Sequence, residues 1–207
     1  MFLIFNRKVE AQQSDLSKLV NHLSDYIASE EYSKLKYSIG DLSASDSIFV
    51  EATKFSDGNI GDALLGLMLA TVPYREVPIQ LPILNTIVYY PLVSADGQIF
   101  LAKNDNLPRY LFFDSPQNKY GDKDKLAHFF GSAFLSYESN IFDLGKLIGY
   151  FVEAFEESFK VQSSVDVRDL DVNQYGRMFG EILKEDKTVL PSQIILLRSV
   201  RYLRIII

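Results

Sequence analysis

With 207 residues, 47% of them apolar and 23% charged, the chain can close one sizeable hydrophobic core and has the balance of an ordinary folded protein. A formal charge of −6 argues against nucleic acid, whose phosphates require a concentrated basic face. The absence of cysteine excludes disulfides, thiolate metal sites, a cysteine nucleophile and a lipid-modified cysteine.

The opening, "MFLIFNRKVEAQQ", has five apolar residues before "NRK". It reads either as the remnant of an export signal or as a short apolar segment packed on the surface. No later run reaches the roughly 18–20 apolar residues that cross a bilayer as a helix. Over residues 14–39 the spacing predicts a helical stretch, with Leu16, Leu19, Val20, Leu23 and Ile27 on one stripe and His22 at its rim. "DSIFVEATKF" (46–55) fits a strand or a short helix. "SDGNIGDALLGLMLATV" predicts a capped helix, turned at Gly58, with Leu64, Leu65, Leu67, Met68 and Leu69 wrapped nearly all round. Such a helix is buried on most sides.

Residues 73–120 hold six of the seven prolines, which forbids long helices. "ILNTIVYYPLV" and "QIFLA", separated by "SADG", suggest one short β-hairpin in an otherwise irregular, aromatic connection. From Asp122 onward the pattern is helical: about 124–138, about 141–160, and about 167–184, with a last segment opened by Pro191. The resulting expectation is a mainly α single domain. It has N-terminal helices over 14–72, a proline-rich connection over 73–121, a helical core over 122–185 and a basic amphipathic helix over 191–207.

Chemistry-bearing residues concentrate in the helical core. Asp124 and His128 are one turn apart and share a face, which continues through Gly131 and Leu135. Asp169, Asn173, Gly176 and Gly180 make a second stripe. Gly145, Gly149, Glu153 and Glu156 make a third, flanked by Glu157. A mid-helix glycine costs about 1 kcal/mol relative to alanine, so close helix approach is the expected reason for it. If the stripes face one another, their ionisable groups meet inside a bundle, where charges must be paired, hydrogen-bonded or metal-bound. His128, Asp124 and Asp169 are then candidates for acid–base work, Asn173 for binding, and Glu153 and Glu157 for a divalent metal such as Mg, Mn or Ca. No cofactor is required by the pattern. Each residue also has a plain structural role open to it. Asp124 suits an N-cap, His128 a satisfied core histidine, Glu156 a pair with Lys160, and Asp169 a first-turn carboxylate favoured by the helix dipole.

Asp124, Lys125, His128, Phe129, Ser132 and Ala133 spell D-K-x-x-H-F-x-x-S-A. They are followed by the acidic Glu156–Glu157 and by "DLDVNQYGRMFG". This resembles the YfiM-like group of bacterial lipoproteins and, more distantly, the VanZ-like membrane proteins, over residues 122–182 only. The resemblance implies a helical domain of the bacterial cell envelope, periplasmic or peripheral to the membrane, and carries no reaction with it. Glu156–Glu157 stands where that group carries Lys-Glu, and there is no cysteine to carry a lipid.

At the C-terminus, Leu196, Val200, Leu203 and Ile207 form one stripe and Arg198, Arg201 and Arg204 another, on roughly the opposite side. The arginines are expected to face either a membrane surface or protein partner, or simply water. Two functions follow. One is a non-catalytic envelope scaffold or binding protein with an internal Asp/His/Asn network. The other is a small hydrolase-like enzyme built on His128 and nearby carboxylates.

Overall fold

The computed structural model describes residues 2–81, 86–138 and 167–200. These residues form seven helices and one two-stranded sheet, a mainly α fold. The stripes at 141–160, with Gly145, Gly149, Glu153, Glu156 and Glu157, lie outside the described residues, as do Arg201 and Arg204.

Helix α1 (Phe2–Ala28) runs into α2 (Glu30–Phe55) at Ser29, whose side chain accepts the Tyr32 amide at 3.1 Å as an N-cap. Residues 46–55, ambiguous from their pattern, are helical as the second half of α2. That helix breaks at Gly40, where φ is +81°. L-residues with a Cβ rarely adopt that angle. Just past the break, Asp41 accepts the amides of Arg109 (2.7 Å) and Tyr110 (2.8 Å) and so holds the distant connection against α2.

Helix α3 (Ile60–Thr71) is the apolar centre. Asn59 caps it, and Ile60, Ala63, Leu64, Leu67, Met68, Leu69 and Ala70 are all buried. The nearly all-round burial expected from its composition holds. It packs against α1, α2 and α5.

The proline-rich connection contains a hairpin, but with a different partner from the one its spacing suggests. Strand β1 (Glu76–Leu81) pairs antiparallel with β2 (Thr86–Pro91), in register from Glu76 opposite Pro91 to Leu81 opposite Thr86. Pro78 is tolerated because a two-stranded sheet has only edge strands. "QIFLA" is not a strand. It lies in α4 (Gly97–Asn106), because Asp96 is not a turn residue but an N-cap that accepts the Gln98 and Ile99 amides. On α4, the Lys103 ammonium is buried and donates to the Ala70 and Val72 carbonyls at the end of α3, both at 2.7 Å. It thereby fills acceptors that a helix C-terminus leaves open.

Helices α5 (Lys125–Tyr137) and α6 (Val167–Glu185) make the most extensive contact among the described elements, and α7 (Pro191–Val200) closes on α6 and α2. Asp46 of α2 accepts the Ser192 amide at 2.8 Å in the first turn of α7. Phe179 joins the layers, stacked on Phe129 at 5.1 Å and edge-on to Phe49 at 5.3 Å between ring centroids.

Candidate functional site: a polar ladder between two parallel helices

Contacts between α5 and α6 advance in the same direction along both chains. Lys125 meets Asp169, His128 and Ser132 meet Asn173, and Ser136 donates to Glu181 at 2.6 Å. The two helices therefore run parallel. Their closeness comes from glycine. A Cβ on Gly176 would lie 2.3 Å from the Phe129 carbonyl oxygen, and one on Gly180 would lie 2.2 Å from that of Ala133. The expected glycine-lined approach of the Asp169 stripe is thus present. Gly131 is a correction: it faces α3, where its Cβ would meet Met68 Sδ at 3.0 Å, and Ser132 faces α6 in its place. His128 and Ser132, one turn apart, share the side turned to α6.

At the N-terminal end of this ladder sits the charged centre. The Lys125 ammonium bonds the Asp169 carboxylate and lies 3.3 Å from Asp124 Oδ2. Lys125, His128 and Asp169 are 4%, 6% and 9% exposed, so the charges are inside the protein and need one another. Asp124 precedes α5 but makes no side-chain cap bond, so its carboxylate serves the centre instead of the helix end. Asp169 does both, as it stands in the first turn of α6.

His128 is held by α6. Its Nδ1 is 3.2 Å from Asn173 Oδ1, which also accepts from Ser132 Oγ at 3.0 Å. An amide oxygen only accepts, so Nδ1 carries the ring proton and Nε2 carries the lone pair. Nε2 is turned toward Asp169 Oδ1, at 3.8 Å. Burial pushes the imidazole pKa below its usual 6.5, against the opposing pull of Asp169 and Asp124. One ligand atom each from Asp124, His128 and Asp169 lies within 4.8 Å of the others.

One member of the centre, and one phenol that feels its charges, escape a reading of spacing alone. Lys125 is visible in the D-K pair but had no assigned role. Tyr74 comes from the connection after α3. Burial raises its phenol pKa, and the charges of Asp124 and Asp169 raise it further. The Asp124 side chain is 26% exposed, so the centre reaches water on that side.

A second network was not anticipated at all. Asp122, fully buried, accepts from Arg168 at 2.6 Å and from Ser115 Oγ. Arg198 binds Asp114 with two bonds, at 2.6 and 3.0 Å, lies 3.4 Å from Asp171, and covers the Phe112 ring at 4.6 Å. This corrects the expectation for Arg198 in the C-terminal helix. Arg198 is 1% exposed, turned neither to water nor to a partner, whereas Leu196 and Val200 are each 51% exposed. The helix is rolled so that Ile194, Ile195 and Arg198 face inward, because two carboxylates and an aromatic face await the guanidinium there. The second histidine, His22, stays at the rim as expected, 2.8 Å from Glu51 and stacked on Phe55.

No known protein family, no curated protein and no solved structure matches the chain. No helix among the described residues is long and apolar enough to cross a membrane.

Proposed function

We propose that the chain is a non-catalytic scaffold or binding protein of the bacterial cell envelope, organised by the polar centre between α5 and α6. The observation that carries this reading is the Lys125 ammonium set against both Asp124 and Asp169. The charges answer one another within the protein, as they do in a network that fixes helix register. The glycine contacts at Gly176 and Gly180 serve the same end. Replacing His128 by Ala tests it: a scaffold loses several degrees of thermal stability, and an unchanged melting temperature removes the role.

The envelope part draws on the D-K-x-x-H-F resemblance and on the outer face of α7. Leu196, Leu197 and Val200 are exposed there, and Arg201 and Arg204 follow in sequence. Apolar area followed along the sequence by positive charge suits an anionic lipid surface or an acidic partner. Co-sedimentation with anionic liposomes, comparing the full chain with a Leu196→Ser/Val200→Ser variant, decides the lipid case. Equal partitioning of the two removes the membrane.

One observation favours the second reading, a small hydrolase-like enzyme. The atoms of Asp124, His128 and Asp169 converge where the Asp124 carboxylate reaches water. A His128→Asn variant that stays folded while losing a measured turnover would establish that reading in place of the scaffold.

A further inference from the structure

The geometry points to a metal site at Asp124, His128 and Asp169 that is filled from within by the Lys125 ammonium and takes a zinc-type dication in its place. Three features argue for it. First, the donor set is mixed, two carboxylates and one imidazole, all contributed by the start of α5 and the first turn of α6. Zinc accepts this combination, whereas Mg and Ca favour oxygen alone. Second, the imidazole is oriented as metal-bound histidines are. Its far nitrogen donates to Asn173 Oδ1, which fixes the ring and presents Nε2 to the carboxylates. Third, Nε2 lies 3.8 Å from Asp169 Oδ1, the oxygen that the Lys125 ammonium bonds, so the position between imidazole and carboxylate is one that already draws a cation.

The dimensions suit the exchange. Ligands about 2.1 Å from a tetrahedral zinc lie about 3.4 Å apart. The present atoms, within 4.8 Å of one another, need to close by little more than an ångström. Charge favours it as well. Among the described residues two carboxylates carry −2, which one ammonium offsets by half and a dication in its place offsets in full. The way in is the Asp124 side, where the carboxylate is partly exposed. Three protein ligands leave zinc's fourth position open, as in sites that bind water or a small ligand.

This inference concerns the same centre as the scaffold reading, but the two fail separately. A centre that never takes zinc can still hold α5 on α6.

The experiment is titration of zinc chloride alone into the full chain near neutral pH, by calorimetry with fold checked by circular dichroism. The chains compared are wild type, Lys125→Ala, Lys125→Met, and Asp124→Asn in the Lys125→Met background. Removing the internal competitor is expected to give one zinc per chain, bound about tenfold or more tightly than by wild type, which is about 1.4 kcal/mol. Asp124→Asn is expected to reverse that gain. Lys125→Met keeps the buried stem and serves if the alanine variant does not fold. If zinc restores structure to an unfolded Lys125 variant, that also supports the site. Affinity equal to wild type in a folded Lys125 variant overturns the proposal. So does insensitivity to Asp124→Asn, or loss of fold in both Lys125 variants that zinc does not repair.

Discussion

Arg198 Nη1 donates to Asp114 Oδ1 at 2.6 Å across 84 positions of sequence, and this bidentate pair pins α7 to the connection ahead of α5. The arginine is enclosed, while the aspartate side chain is about a third exposed. Removing the Asp114 carboxylate therefore takes both bidentate bonds from a buried guanidinium, and removing the guanidinium leaves Asp114 and Asp171 with one cation fewer.

Arg198→Ala is expected to destabilise the fold by about 3 kcal/mol, the usual scale for breaking a buried pair from one side. Arg198→Lys should recover part of this, since it keeps the charge and loses the fork. Urea unfolding of the three chains measures it. Equal midpoints for wild type and the alanine variant would show that the pair contributes nothing.

Stability should fall in mild acid through His128. Burial sets its folded pKa below the ordinary 6.5, so the unfolded chain binds the extra proton first. The contribution is whole above pH 6.5 and declines as pH drops from there toward the folded pKa. Melting temperatures between pH 7.5 and 5 should therefore drop less steeply in His128→Asn than in wild type. Asp169, Asp124 and Lys125 face the ring, and Asn173 accepts its proton, so this comparison is best made with those residues intact.

Lys103 gives a pH effect in the alkaline range. Burial pushes its ammonium pKa down to about 7 from 10.5, and no carboxylate among the described residues offsets that. The unfolded chain holds the proton over that interval and the folded chain does not. Stability attributable to this residue thus rises with pH from 7 upward, at about 1.4 kcal/mol per unit at most. The difference in unfolding free energy between wild type and Lys103→Met, followed from pH 7 to 9, should change in that sense. A flat difference would show that Lys103 titrates alike in both states.

Gly176→Ala sets helix propensity against packing. Alanine gains about 1 kcal/mol in a helix interior. Here its methyl group would meet the Phe129 carbonyl at 2.3 Å, and backbone cannot step aside as a side chain can. A net loss of about 1–3 kcal/mol is expected, with α5 and α6 forced apart. Gly97→Ala is the control, because its nearest neighbour would be Arg75 at 4.0 Å. If both substitutions stabilise the chain, the close crossing of α5 and α6 is not present in solution.

Sequence by itself determined the features that depend on neighbours along the chain. Leu19, Val20, Leu23 and Ile27 recur at helical spacing and are buried as one face of α1. The prolines kept long helices out of the connection. Asp124 and His128 meet because four residues make about one turn of helix. Tertiary structure decided whatever depends on a partner distant in sequence. Nothing local distinguishes an Arg198 facing water from one facing Asp114, Asp171 and Phe112, since helical periodicity is blind to what lies opposite. The same holds for Lys125, which became part of the centre only when α6 delivered Asp169. It holds for β2, which fits the pattern of a strand but found its mate in residues 76–81. Asp96 shows the remaining case: one short acidic side chain suits a hairpin turn and a helix cap equally well, and the packing of α4 on α1 settled it.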